Sequence, residues 1–266
     1  MIAQRTSGEG HGRGTHAPGT HAPGTHGPQR ARAFFGRRKG HRLRPHQNAL
    51  LDTLLPRLAI ELAATAPGDL AALFPRPVDA VRLEIGFGGG EHLFAQATAD
   101  PRTGFIGCEP FVNGMAKILA LIEAGGADNI RLFAGDAVDL LRWLPAAALT
   151  RVDLLYADPW PKRRHWKRRF VQDDTVAMIA RVLRQGGIFR FATDIPDYAA
   201  WTLERMLRAP GFAWTAQCAD DWRLPWADSA APVTRPRPNA RAARPAIWNS
   251  NAWDRRKIGR PDVHGI

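Results

Sequence analysis

Cysteine is scarce in this sequence: Cys108 and Cys218 are its only two, far apart and without metal-ligand spacing. That excludes a disulfide-stapled scaffold and a cysteine-built zinc site, and it predicts reduced thiols. No apolar run reaches the length of a membrane span, and the first residues lack the apolar stretch of a secretion signal. The expectation is a cytoplasmic protein with no membrane partner and no metal.

Positive charge is abundant, and its distribution is more informative than its sum. The chain of 266 residues carries a formal net charge of +12, and its length allows one large domain or two small ones. Residues 1–50 hold nine Lys/Arg against one acid, and residues 235–266 hold eight against two. The stretch between is close to neutral, except for one dense island, Lys162-Arg163-Arg164-His165-Trp166-Lys167-Arg168-Arg169. A local cationic patch on a balanced domain points to a polyanionic partner.

Four segments follow from composition. Residues 1–33 contain the repeat Gly-Thr-His-Ala-Pro and too little apolar surface to offset chain entropy, so disorder is expected there. Residues 34–78 form a basic arm and a helix over His46–Ala64, where Leu50, Leu51, Leu54, Leu55 and Leu58 recur at helical spacing and Pro56 is a potential kink. Residues 79–235 alternate strands (Val81–Ile85, Gly104–Glu109, Ile130–Ala134, Val152–Ala157, Gly187–Thr193, Phe212–Ala216) with helices (Glu91–Ala99, Val112–Ala124, Thr175–Leu183, Tyr198–Leu207). That alternation implies an α/β, Rossmann-like fold: a mostly parallel sheet with helices on both faces and ligands at the carboxyl ends of its strands. Residues 236–266 are rich in Arg, Pro and Ala and offer no strand pattern, so a disordered tail is expected.

Chemistry-bearing residues stand where strands end. After the first strand comes Glu84-Ile85-Gly86-Phe87-Gly88-Gly89-Gly90-Glu91. The glycines permit a tight turn and close approach to a ligand, yet the spacing is neither that of a dinucleotide fingerprint nor that of a P-loop. The second strand ends in Glu109, suited to two ribose hydroxyls. The third is followed by Asp136, which could bind the exocyclic amine of adenine. Each acid alone could serve as a helix cap or a surface group. Together, Glu84, Glu109 and Asp136 point to an adenosine cofactor without phosphates, and S-adenosyl-L-methionine fits. The fourth strand leads through Asp158-Pro159-Trp160-Pro161 into the cationic island, which sets an acid, aromatics and phosphate-binding side chains side by side. Trp160 or Trp166 could stack on a base or simply pack. After the fifth strand, Thr193 or Asp194 could cap the next helix, and Asp194 could equally face the cleft.

Glu84-Ile85-Gly86-Phe87-Gly88, Asp158-Pro159-Trp160-Pro161-Lys162-Arg163-Arg164-His165 with Lys167-Arg168-Arg169, and Ala192-Thr193-Asp194 with Tyr198 resemble the bacterial tRNA (guanine-N(7)-)-methyltransferase family. The resemblance covers about residues 34–235. It implies a class I S-adenosylmethionine-dependent methyltransferase fold and methyl transfer to N7 of the guanosine at position 46 of the tRNA variable loop. The cofactor contacts it implies are Glu84, Gly86, Gly88, Glu109, Asp136 and Asp158, with Asp158 also catalytic. The implied substrate contacts are Lys162, Asp194 and Thr234, and the implied tRNA contacts are Arg163, Arg164, His165, Lys167, Arg168 and Arg169. A monomer or weak homodimer is expected. The sequence leaves two other readings open: an impaired RNA- and cofactor-binding relic of the same fold, and a methyltransferase for a small substrate, against which the basic island argues.

The tail departs from the pattern. Thr234-Arg235 matches the start of the family's last segment, but Arg237 falls where a glutamate is expected. At codon level Ala246-Ile247-Trp248-Asn249-Ser250 can be written GCC ATC TGG AAT TCN; read two bases on, this gives His-Leu-Glu-Phe, close to the family's last strand. A shift of reading frame near residue 235 is therefore predicted. Resequencing the gene should reveal it, whereas peptide masses continuous through Trp253 in the present frame would overturn it.

Overall fold

The computed structural model describes residues 36, 38–224 and 226, and the backbone of residues 244–249. The expected disorder of residues 1–33, the contact assigned to Thr234 and most of the 236–266 tail lie outside the described residues. Chain order is α1 (Pro45–Thr53), α2 (Leu55–Leu58), a 3₁₀ turn at Leu70–Leu73, β1 (Ala80–Ile85), α3 (Glu91–Ala99), β2 (Thr103–Cys108), α4 (Val112–Gly125) and β3 (Ile130–Phe133). Then come α5 (Ala137–Trp143), β4 (Leu149–Leu155), a 3₁₀ helix at Arg163–Arg168, α6 (Asp173–Val182), β5 (Leu183–Thr193), α7 (Pro196–Arg208), β6 (Ala213–Trp214), α8 (Asp220–Arg223) and β7 (Arg244–Asn249).

The strands form one sheet in the order β3-β2-β1-β4-β5-β7-β6. Strands β1 to β5 pair in parallel, while β7 runs antiparallel between β5 and β6. This is the expected doubly wound class I arrangement. Successive strand residues face opposite sides, and two apolar clusters follow from that alternation. Ile106 joins Leu83, Leu140, Leu154, Ile179 and Phe191 in one; Phe105 joins Leu93, Met115, Ile118, Leu119 and Leu132 in the other. All six β2 residues are buried, as the centre of a covered parallel sheet requires. Among the described residues no helix is long and apolar enough to cross a membrane.

Several elements differ from the sequence reading. The helix expected over His46–Ala64 breaks: α1 ends at Thr53, α2 lasts one turn, and Ala59 is extended and bridges Leu132 at the sheet edge. Pro56 sits in the first turn of α2, where its missing N–H is harmless; further into a continuous helix it would remove a hydrogen bond. The unforeseen α5 starts at Asp136, whose carboxylate accepts the Val138 N–H at 2.9 Å. The absence of a strand beyond Arg235 is also corrected, because Arg244–Asn249 pairs with β5 from Ile188↔Asn249 to Thr193↔Arg244. Composition misled here because a ladder uses backbone groups, and only Pro245 lacks a donor.

The chain reverses its order across the sheet at β1, which lies between β2 and β4, so the carboxyl ends of these strands frame the crevice. One close approach sets its floor. A side chain at Gly114, in the first turn of α4, would run into the carbonyl oxygen of Gly88. Helix propensity alone would make Gly114→Ala stabilising by roughly 1 kcal/mol, whereas overpacking against backbone costs about 1–3 kcal/mol. The contact should win. Gly114→Ala is expected to lower Tm, by about 2–4 °C per kcal/mol in a domain of this size. A rise in Tm by calorimetry would mean that α4 moves away freely.

Candidate active site

The loop after β1 is built for an open approach. Gly86 and Gly88 have φ of 70° and 59°, and a Cβ on either would meet nothing within 4 Å. Glycine is required there by conformation, and the space above is free for a ligand. The loop is tied to the end of β2: the Gly86 N–H donates to the Cys108 carbonyl at 2.8 Å. Glu109 then accepts the Gly88 N–H on Oε2 at 2.8 Å and the Phe111 N–H on Oε1 at 3.0 Å. Burial raises the Glu109 carboxyl above the usual carboxylate range; the two N–H bonds oppose that, and the charge of Asp158 adds to it. That electrostatic coupling places the exposed Asp158, beyond β4, on the same crevice.

Glu84 lies deeper. Its Oε2 bonds His92 Nδ1 at 2.7 Å, and the side chain keeps only 6 % exposure. Burial lifts its carboxyl pKa. For His92, burial works downward, but the bond to Glu84 and its charge prevail, so the imidazole ends above its usual value. Opposite Glu84 in register stands Asp153, paired with Arg151 Nε at 2.8 Å. The structure thus sets Glu84 in a buried polar floor, while Glu109 at the end of β2 is buried and Asp158 beyond β4 is exposed. Asp136, half-buried, spends one oxygen on capping α5.

The segment after β4 is strained. Tyr156 and Trp160, neither of them glycine, have φ of 53° and 43°. Such conformations cost on the order of 1–3 kcal/mol each and persist where surrounding contacts impose them. Tyr156 is bonded through its N–H to the Ala192 carbonyl at 2.8 Å, and its hydroxyl pKa is raised by burial and then by Asp194. Asp158 and Asp194 stand just beyond the carboxyl ends of the paired strands β4 and β5. Neither Thr193 nor Asp194 caps α7, whose N-cap is Ile195 without a side-chain cap bond; Thr193 Oγ1 instead accepts the Ile195 N–H at 3.2 Å in the turn before the helix. Asp194 makes no hydrogen bond among the described residues.

The cationic island folds into the short 3₁₀ helix, which sorts its members. Lys162, Arg163, Arg164 and Lys167 are exposed, while His165 and Arg168 are half-buried around Trp160. The His165 ring lies edge-on to Trp160 at 5.9 Å and the Arg168 guanidinium 5.0 Å from it. Desolvation and the charges of Arg168, Arg164, Lys162 and Lys167 hold the His165 imidazole below its usual value. Its ring can offer a nucleic acid a hydrogen bond. Trp166 packs T-shaped on Trp201 at 5.4 Å, so of the two tryptophans only Trp160 stays beside the crevice.

Arg169 is the one assigned tRNA contact that the structure overturns. Its side chain has 0 % exposure, its Nε donates to the Pro159 carbonyl at 2.8 Å, and a second nitrogen pairs with Asp197. A phosphate cannot reach a guanidinium walled in by protein. Nothing near Arg169 in the chain signals this, because the enclosing rings Tyr198 and Trp201 lie some thirty residues downstream. His92 and Asp197 also escaped the sequence reading. Their clues were indirect: a histidine at the second position of the helix after the glycine loop, and an acid at the start of α7.

Residues 79–245 match the family described as "Putative methyltransferase". A tRNA (guanine-N(7)-)-methyltransferase of Nitrobacter hamburgensis is 67% identical over 196 residues, 74% of this chain and 77% of that protein. Similarly named proteins of Rhodopseudomonas palustris (strain BisA53) and Bradyrhizobium diazoefficiens are 66% and 65% identical over 195 residues each, 73% of this chain and 78% and 83% of theirs. The glycine loop over a free space, the acids at successive strand ends and the neighbouring cationic helix thus occur in a chain that shares two thirds of its aligned residues with these enzymes, and it belongs to the tRNA (guanine-N(7)-)-methyltransferase family.

Proposed function

We propose that this protein transfers a methyl group from S-adenosyl-L-methionine to N7 of a guanine in tRNA, the guanosine at position 46 of the variable loop. The observation that carries the reading is the juxtaposition of the exposed Asp158, just beyond β4, with a cationic helix that begins five residues later. The residues fit the cofactor. The space over Gly86 and Gly88 admits an extended ligand. Glu109 has lone pairs left for two ribose hydroxyls, and Asp136 has an oxygen left for an amine. Glu84 supports the loop from below, where the cofactor's amino group can reach it.

The cofactor supplies a methyl group already activated on a positively charged sulfur. Guanine N7 offers a lone pair and carries no proton, so the protein needs no general base. Its residues have to hold N7 in line and exclude alternatives, which is positional catalysis. The methylated base gains positive charge, and the exposed Asp158 carboxylate can stabilise it as it develops. Asp194, beyond the adjacent strand β5, suits the N–H donors on the far edge of guanine. Lys162, Arg163, Arg164 and Lys167 take the phosphates, which fix register without reading sequence; Arg168 and His165 steady Trp160. The proposal extends to a cytoplasmic location, where a tRNA substrate would be met. Among the described residues no feature favours the relic reading, and the kinship with tRNA (guanine-N(7)-)-methyltransferases supports the active one.

With unmodified tRNA and methyl-labelled cofactor, the wild type should place label in 7-methylguanosine after digestion. Asp158→Ala should lower kcat on the order of 10²–10³-fold, the cost of losing one preorganised electrostatic partner; label in another nucleoside would refute the reading. A second expectation follows from the raised Glu109 carboxyl. Ribose hydroxyls need its ionised form, so cofactor affinity should begin to fall, on acidification from neutrality, at a higher pH than an ordinary glutamate would give. Calorimetry should show this dependence flattened in Glu109→Gln; an unchanged profile would dissociate Glu109 from the ribose.

A further inference from the structure

Arg169 raises a question that the cationic island does not answer. Five cations of the island reach solvent at least in part, and the sixth is sealed inside. Burying a guanidinium is costly unless a carboxylate and further partners compensate. Arg169 has a carboxylate, a backbone carbonyl and three aromatic rings. Its guanidinium carbon lies 4.8 Å from the Trp166 ring centre, 5.0 Å from Tyr198 and 5.1 Å from Trp201, three π faces that favour a cation. The box is itself fixed. Trp201 Nε1 donates to the Val171 carbonyl at 2.7 Å, and the Tyr198 hydroxyl accepts the Val171 N–H. Gln172 Nε2 donates to the carbonyls of Trp166 and Arg169 at 2.9 and 3.1 Å.

What this box grips is informative. One arm of the guanidinium holds the Pro159 carbonyl, the peptide directly after Asp158 and inside the turn bounded by left-handed Tyr156 and Trp160. The other arm holds Asp197, in the first turn of α7 and three residues after Asp194. One rigid, planar fork therefore spans the two segments that carry the acids beyond β4 and β5. A turn with two non-glycine residues at positive φ would relax without such a tie.

We propose that Arg169 is a positioning residue: it sets the separation and orientation of Asp158 and Asp194, and it contributes no phosphate contact. The proposal rests on the function argued above, and the two can fail separately. A lysine keeps the charge but loses the fork and the stacking plane, so the exchange is not conservative here.

The test compares Arg169→Lys with Lys167→Ala, an exposed member of the same helix. For Lys167→Ala, tRNA affinity should weaken and the slope of log K against log salt should fall by about one, the mark of a lost phosphate contact. For Arg169→Lys, that slope should stay at the wild-type value and cofactor affinity should hold within threefold. Its kcat at saturating tRNA and cofactor should drop on the order of 10²-fold, the scale of an ångström-sized misplacement. Hydrogen exchange should accelerate in the peptide spanning Tyr156–Trp160 while β1 and β2 keep their protection. Should Arg169→Lys fail to fold, Asp197→Asn removes one arm at a half-exposed site; it should lower kcat about tenfold with the salt slope unchanged. A slope reduced by about one with kcat retained would overturn the proposal, as would an unaltered kcat and exchange rate. A wild type that labels no tRNA would overturn the functional reading alone, since the salt slope and hydrogen exchange still decide the place of Arg169.

Discussion

The crevice depends on the Glu109 carboxylate and the two backbone N–H groups it accepts. Gly88 belongs to the loop after β1 and Phe111 to the entry of α4, so one side chain at the end of β2 fastens three elements at a single point. The approach of Gly114 to the Gly88 carbonyl closes the same junction from the helix side. With the loop so pinned, Gly86 and Gly88 can leave open space above them without the chain collapsing into it. The cost is a carboxylate held in a partly dry place, which is why its ionisation responds to Asp158 across the crevice.

A second, separate system governs the other wall. Here the strained Tyr156–Trp160 turn leans on the aromatic box around Arg169, and the exposed cations project from the short helix between them. The two walls differ in how they are made. The first is backbone hydrogen bonding to a side chain within a few residues of a glycine motif. The second is a guanidinium, three rings and a carboxylate gathered from two distant stretches of chain. In the function proposed above, cofactor recognition falls to the first and substrate placement to the second.

That difference explains what was legible beforehand. The alternation of strands and helices from β1 to α4 could be read nearly to the residue, because fully buried strands and short loops leave a strong pattern. The acids at strand ends were legible because topology alone puts them on one edge. The short α5 escaped because Asp136 was weighed as a ligand and its service as a cap was not followed into the next turn. The helix after His46 was drawn too long, since leucine spacing persists across Pro56 although the backbone changes direction. Arg169 was misassigned for a deeper reason. A run of cations reads as one surface, and only the three-dimensional arrival of Tyr198, Trp201 and Asp197 removes one member from it.

The strand at Arg244–Asn249 carries a consequence for how such a gene can change. Its slot between β5 and β6 is defined by the unpaired backbone groups of its neighbours, and the ladder it completes reads peptide N–H and C=O groups. Side-chain identity enters only second. An insertion or deletion upstream would rewrite every residue of the segment at once, yet an extended stretch arriving there would meet the same row of backbone donors and acceptors, so the ladder is the part of this edge least tied to the spelling of the gene.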